Sequence, residues 1–342
     1  MDMSGRINWI DWGKCMAVCT VVFCHLPQSQ EWFYYRFLQA TIITVFFWVS
    51  GYLKKNRDST RESWRKYWTS LILPYLLYNA IVYPLWLVRF YLQNGGLPDM
   101  FHAMRPIIGA LLFQHENAFT EPLNGSLWYL PAILFMHLLI DWCRKGRHLH
   151  LIMSTLCLLS VILYAANKQY EFLPNLTPIG IFSRLPYYYI GYVMGRKRLF
   201  RTCHVGRDLP MCLICLSLSV GVFYWHLHAE NFLLHIALFY PVNLLFLFGM
   251  LYGCKLMNAY RSGIVFHLSI GTLVIIGLHS PLVSIANLIL KQLCGIRGEI
   301  IYHWYTALPV TVAIVAVLYP VIVLAKRHAP ILLGKSTTKG LF

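Results

Sequence analysis

Lys14 and His25 are the first residues whose type and spacing suggest chemistry. They lie in the run Trp9-Ile-Asp-Trp-Gly-Lys-Cys-Met-Ala-Val-Cys-Thr-Val-Val-Phe-Cys-His25. On a helix, eleven residues make three turns plus about 20°, so the two side chains share a face about 16 Å apart along the axis. Asp11, three positions before Lys14, lies on the same side and within pairing reach. The result is a polar stripe carrying a cation and an imidazole. Charge in a membrane-spanning helix is costly and usually lines a cavity where it does work. The residues alone leave a second reading open, in which Lys14 snorkels to one interface and His25 rests in the opposite headgroup layer.

His279, in Ile275-Ile-Gly-Leu-His-Ser-Pro281, sits in the middle of another apolar run. Snorkelling does not account for it there, which leaves a satisfied core histidine or a site residue. Arg184, in Ser183-Arg-Leu-Pro186, suits an interfacial anchor or a contact for an anionic or polyol ligand. His137 and Asp141, one turn apart, read as a local helix pair, and His235 has no assignment. The sequence has no HExxH, no glycine-rich phosphate loop and no GxSxG elbow, and no metal site is expected.

These residues need helices to position them, and the composition supplies membrane helices. Of 342 residues, 58% are hydrophobic and only 12% charged, about half the charged share of soluble domains. Mean hydropathy is +0.55. That excludes a soluble globular enzyme, a disordered chain and a fibrous repeat. The 15% aromatic content suits a protein with two membrane interfaces. A net charge of +16 would fit nucleic-acid binding, but the charges cluster between apolar runs, as in a membrane protein.

Ten runs are long enough to cross a bilayer: roughly 9–27, 37–53, 66–92, 125–142, 149–166, 177–195, 209–227, 231–254, 268–291 and 304–326. The third holds Pro74 and Pro84 and is expected to be long and kinked. A shorter run at 105–113 reads as interfacial or re-entrant. The expectation is therefore an all-α polytopic membrane domain over 1–342, with about ten transmembrane helices and both termini cytoplasmic. The basic residues set that orientation. Loop 54–66 carries Lys54, Lys55, Arg57, Arg61, Arg65 and Lys66, and loop 196–208 carries Arg196, Lys197, Arg198, Arg201 and Arg207. With Arg6, loops 143–148 and 255–263 and the tail (Lys339 included), 21 of the 29 basic residues fall on one side. Six fall on the other: Arg36, Arg89, Arg105, Lys168, Lys291 and Arg297. The first run does not read as a cleaved signal peptide, because it lacks a small-residue cleavage site and contains Lys14 and His25. The longest loop, 93–124, falls outside, and loops of that length are usually functional or mobile. The cysteines do not form a disulfide framework, since only Cys294 lies in an outer loop. The lone Cys212-x-x-Cys215 reads as packing.

Several segments, in order, resemble membrane acyltransferase family 3. Asp11-x-x-Lys14 and the run to His25 resemble its first-helix signature of a basic residue, ten intervening residues and a histidine. Phe46-Phe-Trp-Val-Ser-Gly-Tyr52 resembles its second helix, and Arg65-Lys-Tyr-Trp-Thr-Ser-Leu-Ile-Leu-Pro-Tyr75 the basic start of its third. Asn124-Gly-Ser-Leu-Trp-Tyr-Leu-Pro131, Arg184-Leu-Pro-Tyr-Tyr-Tyr-Ile-Gly191 and Leu278-His-Ser-Pro281 resemble later stretches. The polysaccharide-modifying O-acetyltransferases, including fucose O-acetylase-like members, are the nearest in pattern. The family most often has Arg where this chain has Lys14, which keeps the charge but loses the fork geometry.

The resemblance implies transfer of an acyl group, usually acetyl, from cytoplasmic acyl-CoA to a hydroxyl of a sugar or cell-surface glycan. It implies acetyl-CoA as co-substrate with no permanently bound cofactor, a bacterial inner-membrane location and no nucleic-acid partner. It makes His25 and Lys14 the catalytic pair, with His25 as base or acyl carrier and Lys14 steadying the donor or an oxyanion. Arg61, Arg65 and Lys66 become donor contacts, and Trp128, Arg184 and His279 further substrate contacts. From the residues alone, a transporter or flippase for a glycan-related or anionic substrate is the alternative.

Overall fold

The computed structural model describes residues 6–56, 59–114, 116–117, 119–173, 176–200, 202–296 and 298–335. Arg57, Arg201, Arg297, Lys339 and the Cys294 side chain lie outside the described residues. Among those described there are fourteen α-helices. They are α1 Asn8–His25, α2 Phe33–Thr41, α3 Ile43–Tyr52, α4 Thr60–Tyr67, α5 Leu73–Asn94, α6 Met100–Leu111 and α7 Tyr129–Cys143. The chain continues with α8 Leu149–Tyr170, α9 Leu176–Arg196, α10 Val205–Leu227, α11 Phe232–Leu256, α12 Gly263–Ile270, α13 Thr272–Cys294 and α14 Trp304–His328. The described residues contain no strand, only one isolated antiparallel bridge between Asn117 and Thr120.

Seven helical stretches are long and apolar enough to cross a membrane: Thr60–Asn94, Gly125–Cys143, Leu149–Tyr170, Val205–Leu227, Phe232–Ala259, Thr272–Leu293 and Trp304–His328. They correspond to seven of the ten expected runs. The other three are helical but fall short for physical reasons. α1 carries Asp11, Lys14 and His25, and α9 carries Arg184 and Arg196. The second run is divided at Ile42 into α2 and α3, of 9 and 10 residues. The ninth run is also divided, at Gly271, where ψ is 7° and the helical ladder is interrupted before α13.

Local sequence explains where the helices start and stop. Ser59 caps α4 by accepting from the Glu62 N–H at 3.3 Å, the S/T-x-x-E arrangement of a capping box. Asn231 caps α11 through Oδ1, which accepts from the Leu233 N–H at 2.8 Å. Gly95 ends α5 in the left-handed region, with φ of 72°. α4 and α5 join through a π-helical turn at Trp68–Ile72, so the expected third span is one continuous helical stretch with Pro84 inside it.

The chain forms two compact units. The first comprises residues 1–54, 187–272 and 298–319. There α3 and the end of α9 meet backbone to backbone. A methyl group on Gly191 would overlap the Trp48 carbonyl oxygen, and one on Gly195 the Tyr52 carbonyl oxygen. This is close helix approach through small residues four apart. The α10–α11 hairpin is fastened at both ends. At one end Lys255 Nζ lies 2.8 Å from Asp208 Oδ2, with both side chains buried. At the other, His226 and His235 stack with ring centroids 3.8 Å apart, and each Nδ1 bonds to the other's carbonyl oxygen.

The second unit comprises residues 55–186, 273–297 and 320–342. The long segment after α5, expected to be mobile or functional, contains helix α6. Tyr83 Oη on α5 donates to the Ala103 carbonyl at 3.0 Å, and Trp86 Nε1 donates to Glu121 Oε1 at 2.7 Å. The short apolar run at 105–113 lies largely within α6.

Candidate active site

In the first unit, α1 presents the sequence-predicted pair. Lys14 Nζ donates to the Ser269 carbonyl on α12 at 2.7 Å. Ser269 Oγ donates to Asp11 Oδ1 at 2.5 Å. Arg6 reaches the same carboxylate, with Nε 3.1 Å from Oδ2, and lies over the Phe266 ring. Asp11 is buried, and both Asp11 and Lys14 converge on Ser269. His25 is the last residue of α1 and is exposed. Its Nδ1 lies 2.8 Å from the Val21 carbonyl oxygen. A carbonyl only accepts, so Nδ1 carries the proton and Nε2 holds the lone pair in the neutral ring.

The turn after α1 is tightly braced. Buried Gln28 donates to the Phe23 carbonyl at 2.9 Å and accepts from Tyr34 Oη at 3.0 Å. Tyr35 Oη donates to the Cys24 carbonyl at 3.1 Å. These bonds fix the backbone on both sides of His25. An aromatic group follows, with Trp32 stacked on Tyr34 and 4.5 Å from the His303 ring. Sequence reasoning did not single out Gln28, Trp32 or Tyr34. The only available signal was a cluster of polar and aromatic residues directly after a helical histidine.

In the second unit, Arg61, Arg65 and Lys66 are exposed on α4, while Ser63 and Tyr67 face inward. Tyr67 explains the His137–Asp141 spacing: its hydroxyl donates to Asp141, and its ring stacks on His137 at 5.5 Å. These contacts hold the basic helix against α7. Below the basic residues, Ser70 Oγ donates to the Lys66 carbonyl at 2.7 Å within the π turn.

His279 is fully buried on α13. Its Nδ1 lies 2.7 Å from the Ile275 carbonyl oxygen, and Nε2 lies 3.4 Å from Ser126 Oγ. Asn124 Nδ2 donates to the Gly277 carbonyl at 2.8 Å. Gln114 links this group to α5: its Oε1 accepts from the Asn124 N–H at 3.1 Å, and its Nε2 donates to Tyr75 Oη and Asn79 Oδ1. Trp128 packs its ring over Gly180, where a methyl group would clash with it. Arg184 is buried on α9. An apolar cavity of about 390 Å³ lies beside Thr177, lined by Phe113, Phe135, Met136, Leu139, Pro178 and Ile181. Its lining has no titratable side chain, so it cannot itself supply acid–base chemistry.

The sequence pattern of acyltransferase family 3, described as an acyltransferase domain, matches residues 7–326. The chain belongs to this family. Searches among curated proteins and solved structures give no match. With its membrane-crossing helices, the chain is a membrane acyltransferase.

The acyltransferase has its expected site residues in both units. Lys14 and His25 are in the first, and Arg61, Arg65, Lys66, Trp128, Arg184 and His279 in the second. Within the second unit, His279 is joined to the turn that leads to Trp128, whereas the basic trio stands on α4. Asn124 and Ser126 lie in the segment that resembles the family, yet their positions against α13 were not legible from it. Among the described residues, no three His, Cys, Asp or Glu side chains are grouped to hold a metal ion. The nine cysteines with described side chains are all free thiols.

Proposed function

We propose that this membrane acyltransferase moves an acyl group, specifically acetyl, from cytoplasmic acetyl-CoA to a hydroxyl of a sugar or cell-surface glycan. One observation carries the reading. His25 is exposed at the end of α1 with its Nδ1 bound to the Val21 carbonyl, which makes Nε2 the proton-accepting nitrogen of the neutral ring. A hydroxyl is a poor nucleophile at neutral pH. An imidazole positioned in this tautomer takes its proton as the oxygen attacks the thioester carbonyl. The bond formed is an ester, the bond broken is C–S, and the thiolate of CoA leaves and is protonated.

Lys14 supports the same step as a cation braced from Ser269, steadying the donor or the developing oxyanion. Arg61, Arg65 and Lys66 are exposed on one short helix and suit the phosphates of CoA. Trp128, Arg184 and His279 complete the substrate contacts. The reading includes ten spans with both termini in the cytoplasm, following the bias of basic residues between loops, and, as the family resemblance implies, a place in the bacterial inner membrane. Acetyl-CoA is a co-substrate, and no permanently held cofactor or nucleic acid takes part.

The test uses purified full-length protein in lipid nanodiscs with radiolabelled acetyl-CoA and a panel of glycosides. Label should appear on a glycoside and free CoA should accumulate. A protein that moves substrate across vesicles without transferring label would be a transporter, and the reading would fail.

A further inference from the structure

The turn after His25 and the start of α14 meet in a row of rings. The Tyr302 N–H donates to the Pro27 carbonyl at 2.8 Å, and Pro27 is two residues beyond His25. Consecutive Cα atoms are about 3.8 Å apart, so the Pro27 Cα is no more than about 8 Å from that of His25. The His303 carbonyl accepts from the Ala307 N–H at 2.7 Å, which fixes the first turn of α14. On this frame the Trp32 ring lies 5.9 Å from Tyr34 and 4.5 Å from His303, and His303 lies 5.2 Å from Tyr305. The interplanar angles are 19°, 34° and 9°. All these residues belong to the first unit.

The separations exceed the about 3.5–4.0 Å of carbon atoms in contact, so the rings are slipped and not eclipsed, and parts of their faces stay uncovered. Tyr305 is 56% exposed, His303 is exposed and Trp32 is half-buried. A ligand can therefore reach the row. Aromatic faces are electron-rich. The C–H bonds on one side of a pyranose are polarised positive at hydrogen, so a sugar ring lies flat on such a face with its hydroxyls at the rim. The two segments that carry the rings also carry exposed Glu31 and Glu299, which are acceptors for hydroxyls. Trp and Tyr gather at membrane interfaces as anchors too. An anchor needs no packing of ring on ring, no imidazole in the row and no tie to the turn that follows His25.

We infer that Trp32, His303 and Tyr305 form a stacking platform for a pyranose ring of the acyl acceptor, beside the turn that follows His25. This rests on the proposed function, in which a sugar hydroxyl is acylated with His25 as base. The platform would set which sugar is held and which of its hydroxyls is presented.

The test uses the full-length protein in nanodiscs with acetyl-CoA and the methyl glycosides of glucose, mannose, fucose and N-acetylglucosamine. Trp32→Leu and Tyr305→Leu keep an apolar side chain for the bilayer but remove the ring face. Each should raise the KM for the glycoside about tenfold. Tyr305→Phe keeps the face and should stay within about twofold of wild type. The KM for acetyl-CoA should stay within about twofold in all three variants. Saturation-transfer NMR of the same glycosides gives a readout independent of turnover. Its signal should be strongest at the ring C–H protons, weaken in the two Leu variants and persist in Tyr305→Phe. If Trp32→Leu does not fold, the Tyr305 variants carry the test, since most of that side chain is exposed. Unchanged glycoside KM and NMR signal in folded Leu variants would mean that the rings only anchor the protein in the membrane, and would overturn the inference. An equal rise in the KM for acetyl-CoA would assign the rings to the donor and overturn it. Displacement of the glycosides by choline would assign them to a quaternary ammonium group, with the same consequence. If wild type transfers no acetyl group, the proposed function fails separately. NMR then decides, with a signal lost in the Leu variants upholding the sugar platform and no signal from wild type refuting it.

Discussion

If His25 is the proposed base, His25→Ala separates its catalytic role from folding. The side chain is exposed, and its bond to the Val21 carbonyl is made within its own helix, so its removal leaves no large cavity. The lost hydrogen bond should cost about 0.5–1.5 kcal/mol of stability. A lost general base should cost on the order of 10²–10⁴ in rate, equivalent to about 2.7–5.5 kcal/mol in the barrier. Transfer of labelled acetyl measures the second quantity, and thermal unfolding in detergent measures the first. His25→Gln should fare little better, because glutamine cannot take the proton. In wild type the rate should fall at acid pH as the imidazole becomes protonated, since only the neutral ring accepts. Lys14→Met should also lose most activity, and the double variant should be little worse than His25→Ala, as for groups serving one step. Full activity in folded His25→Ala would remove this histidine from the mechanism.

Charge removal at Arg65 and Lys66 should raise the KM for acetyl-CoA more than it lowers kcat, because both are exposed on α4 and would contribute largely uniform binding; steady-state kinetics showing an unchanged KM would move the donor site elsewhere. Gly191→Ala should lower the detergent melting temperature markedly because its methyl meets the Trp48 backbone, whereas Gly206→Ala, with nothing nearby, should not; equal melting temperatures would refute the close approach of α3 and α9. Lys255→Met should destabilise by about 1.5–3 kcal/mol in equilibrium unfolding, since it removes a charged hydrogen bond from the fully buried Asp208, which keeps Arg207 Nε at 3.1 Å and the His204 N–H at 2.9 Å; a loss below about 0.5 kcal/mol would mean that these two donors already satisfy the carboxylate.

Composition and hydropathy were enough to establish an all-helical membrane protein, because spanning a bilayer demands long apolar runs whatever their packing. The order of short motifs was enough to indicate the family, and helical periodicity put Lys14 and His25 on one face of α1. Periodicity carries no information about partners, so it could not reveal that Asp11 and Lys14 converge on Ser269, 258 positions from Asp11. Nor could it locate the breaks at Ile42 and Gly271, which lie within apolar runs that read as continuous. His137 and Asp141 looked like a local pair until Tyr67 from another helix joined both. Asn124 and Ser126 had no periodic or compositional signal at all. Their placement against Gly277 and His279, 153 residues away, depends on hydrogen bonds that exist only once the helices have packed.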